Sequence, residues 1–580
     1  MNPLLRIAIA TLVPAVAAEA ADRRTVVPLD GIWDAAEGGL ASPPPVFDRT
    51  VPVPGLLDMA SPPFESPGAT VPLDQRNEWW RTLADPKREA FWYRRTFVLA
   101  GPVPEVARLK FHKAKYGLSV WLNGQKLGDH DRNFTPGWFD AKPALRGGGT
   151  TNELIARVGA SPAQSPGHRL YGFDFEKSRY IPGIYDSVEL ILSGAPHVLN
   201  IQAVPDLERK AVRALVELDR EAVGPVTARV AEAAGGRVVA AKVARRRGER
   251  TMEADLPIRD VRLWSPEDPF LYDLVIETEG DTGRTRFGMR SFSADPGRGV
   301  VLLNGRPYYL RGSNVCIFRF FEDRERQGLP WNREWVRALH RRFKDMHWNS
   351  LRYCIGCPPE LWYEIADEEG VLIQDEFPLW YGNRPENPWP VGIAADHLEQ
   401  EYREWMRERW NHACVVVWDA QNETTYDRVI SAAVARVRSL DLSGRPWDNG
   451  WGGDPASERR LRIPSLPLQP EGVSLGSVRT EGGRRARQRP PARARPPSLP
   501  HQRVRLAVDQ PRRLAAQPHR GRLPAAAGRG RDRRSAVRVL CACAGREDGV
   551  LAPPQEMRRR VAFLRSWLLP PRRANQRPLA

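Results

Sequence analysis

The sequence predicts a multidomain protein of the β plus α/β class, in which two β-sandwiches precede a (β/α) barrel that is incomplete. Short strands and turns follow one another from about residue 25 to 297, and strands alternate with helices from residue 298 to about 455. Neither pattern continues after about Ser457. The chain has 580 residues, of which 42% are hydrophobic, and this is enough for several domains with real cores.

Residues 21–195 are predicted to form the first sandwich. Residues 91–99 alternate well enough for a sheet, and residues 117–122 form a strand that ends at Asn123-Gly124. Both of these residues tolerate positive φ, so they predict a tight hairpin turn. Residues 196–297 repeat the pattern on a smaller scale, which favours an immunoglobulin-like sandwich. Its predicted strands are 212–218, 226–231 and 271–277.

Residues 298–460 are predicted to be the N-terminal part of a (β/α) barrel. The expected strands are 308–312, 349–352, 371–375, 414–418 and 445–449, and the expected helices are 331–346, 359–369, 396–410 and 426–438. A complete barrel needs eight strands. The sequence therefore predicts about half of one.

The N-terminus reads as a secretory signal over residues 1–20. Arg6 precedes a short apolar stretch, and Ala18-Glu19-Ala20 is a small-x-small cleavage site, so we expect a secreted or periplasmic protein. The sequence contains no stretch of 18 apolar residues, so no membrane span is predicted. Cys354-x-x-Cys357 has a spacing that suits a metal or redox pair, but no second pair or histidine accompanies it. We interpret the two cysteines as ordinary, partly buried residues.

Candidate site residues follow the predicted barrel strands, where the chemistry of such barrels lies. They are Arg352, Asp375, Glu376, Asn422 and Glu423. Glu423 comes shortly after a buried strand that ends at Trp418, so we expect its carboxyl group at the barrel mouth. A carboxyl group enclosed there can have a raised pKa and act as a general acid.

Nine ordered motifs across residues 25–455 resemble glycoside hydrolase family 2, the family of bacterial β-galactosidases, β-glucuronidases and β-mannosidases. FWYRRTF, VWLNGQKLGDH, FTPGWFD and IPGIYDSVEL resemble its N-terminal jelly roll, and LWSPEDPFLYDL with RFGMRSF resembles its immunoglobulin-like domain. The barrel is represented by LLNGRPYYLRGSN, by WNSLRYCIGCPPELWYEIADEEGVLIQDE and by NHACVVVWDAQNE. The last of these is similar to the acid/base signature of the family.

The resemblance implies exo-hydrolysis of a β-linked oligosaccharide or glycoside with retention, β-galactosidase-like as a first interpretation. By motif, Glu423 matches the acid/base and Asn422 matches the residue that binds the 2-hydroxyl of the sugar. Arg352 matches the arginine that orients the carboxylates, although a structural salt bridge is equally open. Asp375 and Glu376 match the acids of strand three. They and Trp418 could support the site, and a structural role is favoured for Asp375.

Three departures from the family pattern limit these expectations. No histidine lies three residues beyond Arg352, and no Glu-x-His follows Glu376, so neither a metal nor another cofactor is predicted. The nucleophile, a Glu that ends the seventh strand in the family, is not assigned. The acids after residue 480 follow no buried strand, and Ser457-Glu458 comes too early. Loss of the nucleophile predicts an impaired enzyme, or alternatively a non-catalytic carbohydrate-binding relic of one.

Residues 461–580 form an Arg- and Pro-rich tail. Residues 481–580 contain 25 Arg, no Lys and six acids, a net charge of +19, so the rest of the chain carries −2 of the total of +17. This composition is typical of a GC-rich gene translated out of frame, and we expect a shifted or disordered tail. A genuine basic tail is the alternative and would bind anionic polymers. We expect no nucleic-acid partner, and the sugar and the oligomeric state stay open.

Overall fold

The structure is a computed structural model that describes residues 23–70, 87–165, 169–174, 177–295, 297–381, 392–424 and 428–449. The predicted signal segment 1–20 and the tail 461–580 lie outside the described residues. So do Ser457-Glu458 and every acid after residue 480. Within the described part of the chain, no helix has the length and apolar character needed to cross a membrane.

The first region is a sandwich of two antiparallel sheets. One sheet has the strand order β1-β14-β6-β10 and the other has the order β3-β2-β5-β11-β8-β9. The strands are β1 (Thr25–Pro28), β2 (Gly31–Gly38), β3 (Arg49–Val53), β4 (Ala69–Thr70), β5 (Ala90–Val98), β6 (Val106–Phe111), β7 (Ala114–Lys115), β8 (Leu118–Leu122), β9 (Gln125–His130), β10 (Gly137–Asp140), β11 (Thr151–Gly159), β12 (Arg179–Tyr180), β13 (Gly183–Ile184) and β14 (Val188–Ser193).

Alternation along the strands fills the core of this sandwich. Every second residue of a strand points to the same side. On β11 these are Leu154, Ala156 and Val158, which pack in the core with Trp33 and Phe111. The predicted hairpin is confirmed, because β8 pairs with β9 across Asn123 and Gly124, whose φ angles are 51° and 83°. Positive φ at both positions is what a two-residue hairpin turn requires.

The second sandwich has two sheets of four strands, in the orders β15-β16-β20-β19 and β18-β17-β21-β22. Its strands are β15 (Val198–Asp206), β16 (Ala211–Leu218), β17 (Thr227–Glu232), β18 (Val238–Val243), β19 (Arg245–Gly248), β20 (Thr251–Pro257), β21 (Tyr272–Glu277) and β22 (Thr282–Phe287). The three strands expected here at 212–218, 226–231 and 271–277 are confirmed within one residue. A small antiparallel sheet of β23 (Phe292–Asp295), β24 (Val300–Leu303) and β25 (Arg306–Tyr308) then leads into the last region.

The last region is a parallel sheet of five strands in sequential order, with helices between them. The strands are β26 (Gly312–Cys316), β27 (Ser350–Cys354), β28 (Leu372–Glu376), β29 (Val415–Asp419) and β30 (Trp447–Asp448), and the helices are α1 (Ile317–Phe321), α2 (Arg333–Asp345), α3 (Glu360–Glu369), α4 (Ala395–Arg409) and α5 (Arg428–Val437). Among the described residues β26 and β30 form the two edges, so the barrel does not close there.

The prediction of a single strand over residues 308–312 is wrong. Tyr308 pairs antiparallel with Val301 in the small sheet, whereas Gly312 pairs parallel with Ser350 in the barrel sheet. The three residues between them carry the chain from one sheet to the other. Because each end is held by a different partner strand, no single strand spans the interval.

Candidate active site

Three adjacent strands of the barrel sheet, β27, β28 and β29, bring polar side chains together at their carboxyl ends. Arg352 is in register with Gln374, and Glu376 is in register with Asp419. Because side chains alternate between the two faces of a strand, Gln374 and Glu376 share one face with these partners. This is the inner face of the curved sheet, and we call Arg352, Gln374, Glu376, Asp419 and Asn422 the inner cluster.

Arg352 is the centre of the inner cluster. Its Nε donates to Asp419 Oδ2 at 2.8 Å, and one terminal nitrogen donates to Asn422 Oδ1 at 3.1 Å. The same terminal nitrogen pairs closely with Glu376 Oε2. Each of these four residues is at most 4% exposed. A planar guanidinium with several donors is suited to fixing carboxylates and an amide in one geometry.

Two acids share one cation in this cluster, and this sets its electrostatics. Burial alone would lower the pKa of Arg352, but the carboxyl groups of Glu376 and Asp419 outweigh it and hold that pKa well above its usual value. Burial raises the pKa of Glu376, Arg352 opposes the rise, and the neighbouring Asp419 adds to it. Glu376 also accepts a hydrogen bond from the backbone N–H of Ile355 at 2.6 Å.

The inner face also carries hydrogen-bond acceptors that are not used within the described residues. They are Asp419 Oδ1, Gln374 Oε1, Gln421 Oε1 and Asn314 Oδ1. Asn314 lies on β26 in register with Arg352, so these acceptors lie on β26, β28 and β29 and in the loop after β29. Buried acceptors normally have partners, and sugar hydroxyl groups can donate to them.

Asn422 and Glu423 lie in the loop that follows β29. The backbone N–H of Asn422 donates to Leu379 O at 2.8 Å, and Thr424 Oγ1 donates to Asn422 O at 3.2 Å. Glu423 is half-buried between them and has a φ of 45°, a left-handed conformation that is uncommon for a residue other than glycine. The loop therefore holds Glu423 in one defined backbone conformation beside the Arg352–Asn422 contact.

Asp375 and Trp418, two further residues proposed as site support, are not brought to the inner cluster. Both lie on the opposite face of the sheet, toward the helices. Asp375 accepts from Tyr363 Oη at 2.7 Å and from Trp405 Nε1 at 2.8 Å. Trp418 Nε1 donates to Asp441 Oδ2 at 2.8 Å. These contacts fit the structural role favoured for Asp375. They indicate a structural role for Trp418 as well.

Asp419, Gln374 and Gln421 are polar residues of this region that were not predicted from the sequence. Gln374 Nε2 donates to Asp419 Oδ2 at 2.8 Å and to Asp448 Oδ2 at 3.2 Å, so it links β28, β29 and β30. Alternation along β28 could have found Gln374, since it stands two residues before Glu376. Asp419 directly follows the apolar run of β29 and could have been included in the strand on the same ground.

Potential metal ligands also lie elsewhere in the described part of the chain. Two groups of His, Cys and acidic side chains come within ligating distance, Asp367 with His412 and Cys414, and His112 with Glu360 and Glu408. Cys354 and Cys357 are both buried and form no disulfide.

The comparisons with known proteins agree with this architecture. The family model for glycosyl hydrolases family 2 matches residues 197–290, and the model for the TIM barrel domain of the same family matches residues 297–448. The chain belongs to glycosyl hydrolase family 2. The two matches cover the second sandwich and the barrel sheet, in the order typical of the family.

Relatives within family 2 are distant. The β-galactosidase BgaC of Bifidobacterium adolescentis is 24% identical over 60% of this chain and 36% of its own length. The β-galactosidase BoGH2A of Bacteroides ovatus is 27% identical over 57% of this chain and 39% of its own length. The chain thus spans little more than a third of the length of these curated relatives. A β-glucuronidase structure from Ruminococcus gnavus superposes with a TM-score of 0.56 at 22% identity, covering 73% of this chain and 72% of that one.

Proposed function

We propose that this chain is a glycosidase of the retaining exo-β type that acts on a β-linked oligosaccharide or glycoside, β-galactosidase-like as a first interpretation. The observation that carries the proposal is the inner cluster, in which Arg352 binds Glu376, Asp419 and Asn422 beside Glu423. Membership of family 2 supports it, as do relatives named β-galactosidases. No metal is required by the proposal.

In the proposed reaction Glu423 is the general acid and base. It protonates the leaving oxygen of the glycosidic bond and later takes a proton from the attacking water. Asn422, whose amide oxygen is held by Arg352, is left with its NH₂ group to bind a sugar hydroxyl group. The acceptors along the inner face would then bind the remaining hydroxyl groups of the sugar.

The second carboxylate of the reaction has no assigned residue in this chain. A retaining glycosidase needs a nucleophile about 5–5.5 Å from the acid/base. Glu376 and Asp419 are both bound by Arg352, which lowers their capacity to attack a sugar carbon. We therefore propose that turnover by this chain is impaired.

A second candidate function is carbohydrate binding without cleavage. It is favoured by the unused acceptors Asp419 Oδ1, Gln374 Oε1 and Asn314 Oδ1 on the inner face, which can accept hydrogen bonds from a sugar whether or not a reaction follows. Such a protein would bind the same sugars as an enzyme of the family and leave them intact. The two candidates differ in one chemical event, the formation of a covalent glycosyl–enzyme intermediate.

A mechanism-based label separates the two functions. The purified chain is incubated with 2-deoxy-2-fluoro-β-galactosyl and β-glucuronyl fluorides, and its intact mass is measured beside Glu423→Gln and the exposed control Glu249→Gln. A stable adduct on the wild type shows a working nucleophile and supports the enzyme. Sugar binding by calorimetry without any adduct supports the binding protein. If neither sugar binds nor labels the chain, both candidates are wrong.

Two proposals concern residues at the ends of the chain. We propose that residues 1–20 direct export, which N-terminal sequencing of protein recovered outside the cytoplasm would test.

We also propose that the tail 461–580 comes from a change of reading frame. Resequencing the gene across codons 450 to 490 tests it, since another frame should then restore strand–helix alternation and a strand-end Glu. If the present frame is confirmed and the other frames carry stops, the tail is genuine and the chain is best explained as the sugar-binding relic.

A further inference from the structure

A second cluster of charged side chains lies where the first sandwich packs against the barrel helices. Strands β6 and β14 border it with His112, just after β6, and Glu189. The helices contribute Glu360, the first residue of α3, and Glu408, near the end of α4. The cluster is separate from the inner face of the sheet, because α3 and α4 cover the other face.

Three of these side chains are placed to bind one ion. His112, Glu360 and Glu408 each offer a ligand atom, and the three atoms all lie within 4.8 Å of one another. Zinc binds imidazole nitrogen and carboxylate oxygen at about 2.0–2.2 Å, so the ligands of one ion lie about 3–4 Å apart. Small side-chain rotations would therefore close the site. The ligands come from three separate elements of the fold.

His112 points to a missing partner. The residue is only 7% exposed, and neither ring nitrogen makes a hydrogen bond within the described residues. Its Nε2 lies 3.4 Å from Glu189 Oε2, outside normal hydrogen-bond geometry. Glu360 Oε2 is likewise buried and unbonded among the residues described here. Buried polar atoms without partners are costly, and a bound cation would satisfy the ring and the carboxylate together.

The charges around the cluster also favour a cation. Three carboxylates, Glu189, Glu360 and Glu408, face two basic groups directly. Lys113 and Arg409 also act on Glu360, but each is paired with another acid, Asp186 and Asp375. Lys110 Nζ lies 3.0 Å from Glu408 Oε2, and His412 Nε2 lies 2.7 Å from Glu360 Oε1. The other ring nitrogen of His412 binds a fourth carboxylate, so its charge is divided. Acid is therefore in excess at the site.

We propose that His112, Glu360 and Glu408 bind a divalent transition metal, with Zn²⁺ the ion that this donor set favours. One imidazole and two carboxylates are ligands that zinc accepts, and water would complete the coordination. Glu189 would fix the ring of His112 as an outer carboxylate commonly does for a metal-binding histidine. The ion would join the first sandwich to helices α3 and α4.

Metal titration of the full chain tests the proposal without any use of glycosidase activity. The chelator-stripped protein is titrated with Zn²⁺ against a chromophoric chelator, beside His112→Ala and His347→Asn. His347 is an exposed histidine with a φ of 62°, and asparagine tolerates that conformation. We expect the wild type and the control to bind one more Zn²⁺ per chain than His112→Ala does, or to bind it at least tenfold more tightly.

Two further measurements keep the test decisive. Co²⁺ at this site should give visible absorption bands without a thiolate charge-transfer band, which excludes the cysteines as ligands. Zn²⁺ should raise the melting temperature of the wild type by about 5 °C. Neither His112→Ala nor the shape-conserving Glu408→Gln should show that rise.

Equal Zn²⁺ binding by wild type and His112→Ala would overturn the proposal. So would Co²⁺ absorption bands that are identical in the wild type and in His112→Ala. Absence of Zn²⁺ binding by the wild type would overturn it too.

Discussion

The two faces of the barrel sheet each bury one arginine among carboxylates, yet only one of them is arranged to receive a ligand. On the inner face Arg352 binds Glu376 and Asp419. On the outer face Arg409 lies 3.5 Å from Asp375 and over the ring of Tyr363, 4.5 Å from its centroid. All of these charged groups are buried.

The difference lies in what surrounds the acids. Asp375 accepts hydrogen bonds through both of its oxygens, from Tyr363 and Trp405, and aromatic rings enclose the pair. Asp419 uses one oxygen for Arg352 and Gln374 and leaves Oδ1 without a partner among the described residues. The guanidinium nitrogens of Arg409 also make no hydrogen bond among the described residues, so the two faces differ in their acceptors and not in their donors. The unused acceptors of the inner face are available to the hydroxyl groups of a sugar.

The most disruptive test of this comparison removes the inner cation. Arg352→Met should lower the free energy of unfolding by about 3–5 kcal/mol, because it leaves Glu376 and Asp419 buried without a counter-charge. Urea unfolding measures the loss. If the double variant Arg352→Met, Glu376→Gln regains part of the lost free energy of unfolding, the uncompensated acid is the cause. A loss below about 1 kcal/mol would mean that water reaches the cluster and the ion pairs are not buried.

The corresponding change on the outer face should affect stability and not sugar binding. Asp375→Asn removes the charge beside Arg409, and we expect a loss of about 2–3 kcal/mol, since hydrogen bonds to charged groups contribute about that much. Affinity for a β-galactoside should stay within twofold of wild type in a calorimetric titration.

Glu376→Gln is the matched variant on the inner face. Because Asp419 still pairs with Arg352 in this variant, the neutral isostere should cost little stability, while sugar affinity should fall about tenfold. If Asp375→Asn weakened sugar binding as much as Glu376→Gln, the distinction between the two faces would be wrong.

Sequence could predict the elements of this sheet better than the direction of its side chains. The predicted helices and strands from 331 to 449 all exist, with ends that shift by a few residues. Alternation requires Asp375 and Glu376 to face opposite ways, but both faces of a covered parallel strand are buried, and every residue of β28 is. Hydrophobic pattern therefore cannot tell which acid points inward. Asp419 was missed for the same reason, because β29 is buried throughout.

The outer layer also contains an acid without a hydrogen-bond partner. Glu401 lies on α4, one and two turns before Trp405 and Arg409, and both of its carboxylate oxygens are buried and unbonded in the described part of the chain. Burial raises its pKa to about 8, although Arg169 and Arg132 oppose the rise. The folded protein therefore holds a proton that the unfolded chain releases above about pH 4.3.

Stability should consequently fall as the pH rises from about 4.5 to 8, because folding takes up a proton in that window. Glu401→Gln should remove this contribution and raise the free energy of unfolding by roughly 2 kcal/mol at pH 6, with little change at pH 4.5. Urea unfolding of both proteins across this range measures it. An equal gain at both pH values would show that packing, and not the proton, is responsible.

The smallest expected effect concerns Trp418, which sequence placed near the site and the structure places on the outer face. Its ring packs at 4.8 Å from Trp405, and its Nε1 donates to Asp441 Oδ2. Trp418→Phe should cost about 1–2 kcal/mol through the lost hydrogen bond and a small cavity, and it should leave sugar affinity unchanged. Loss of sugar affinity at unchanged stability would instead show that Trp418 contributes to the site. Because the substitution changes contacts of the outer face only, it tests whether the helices on that face merely support the sheet or also set the geometry of the inner cluster.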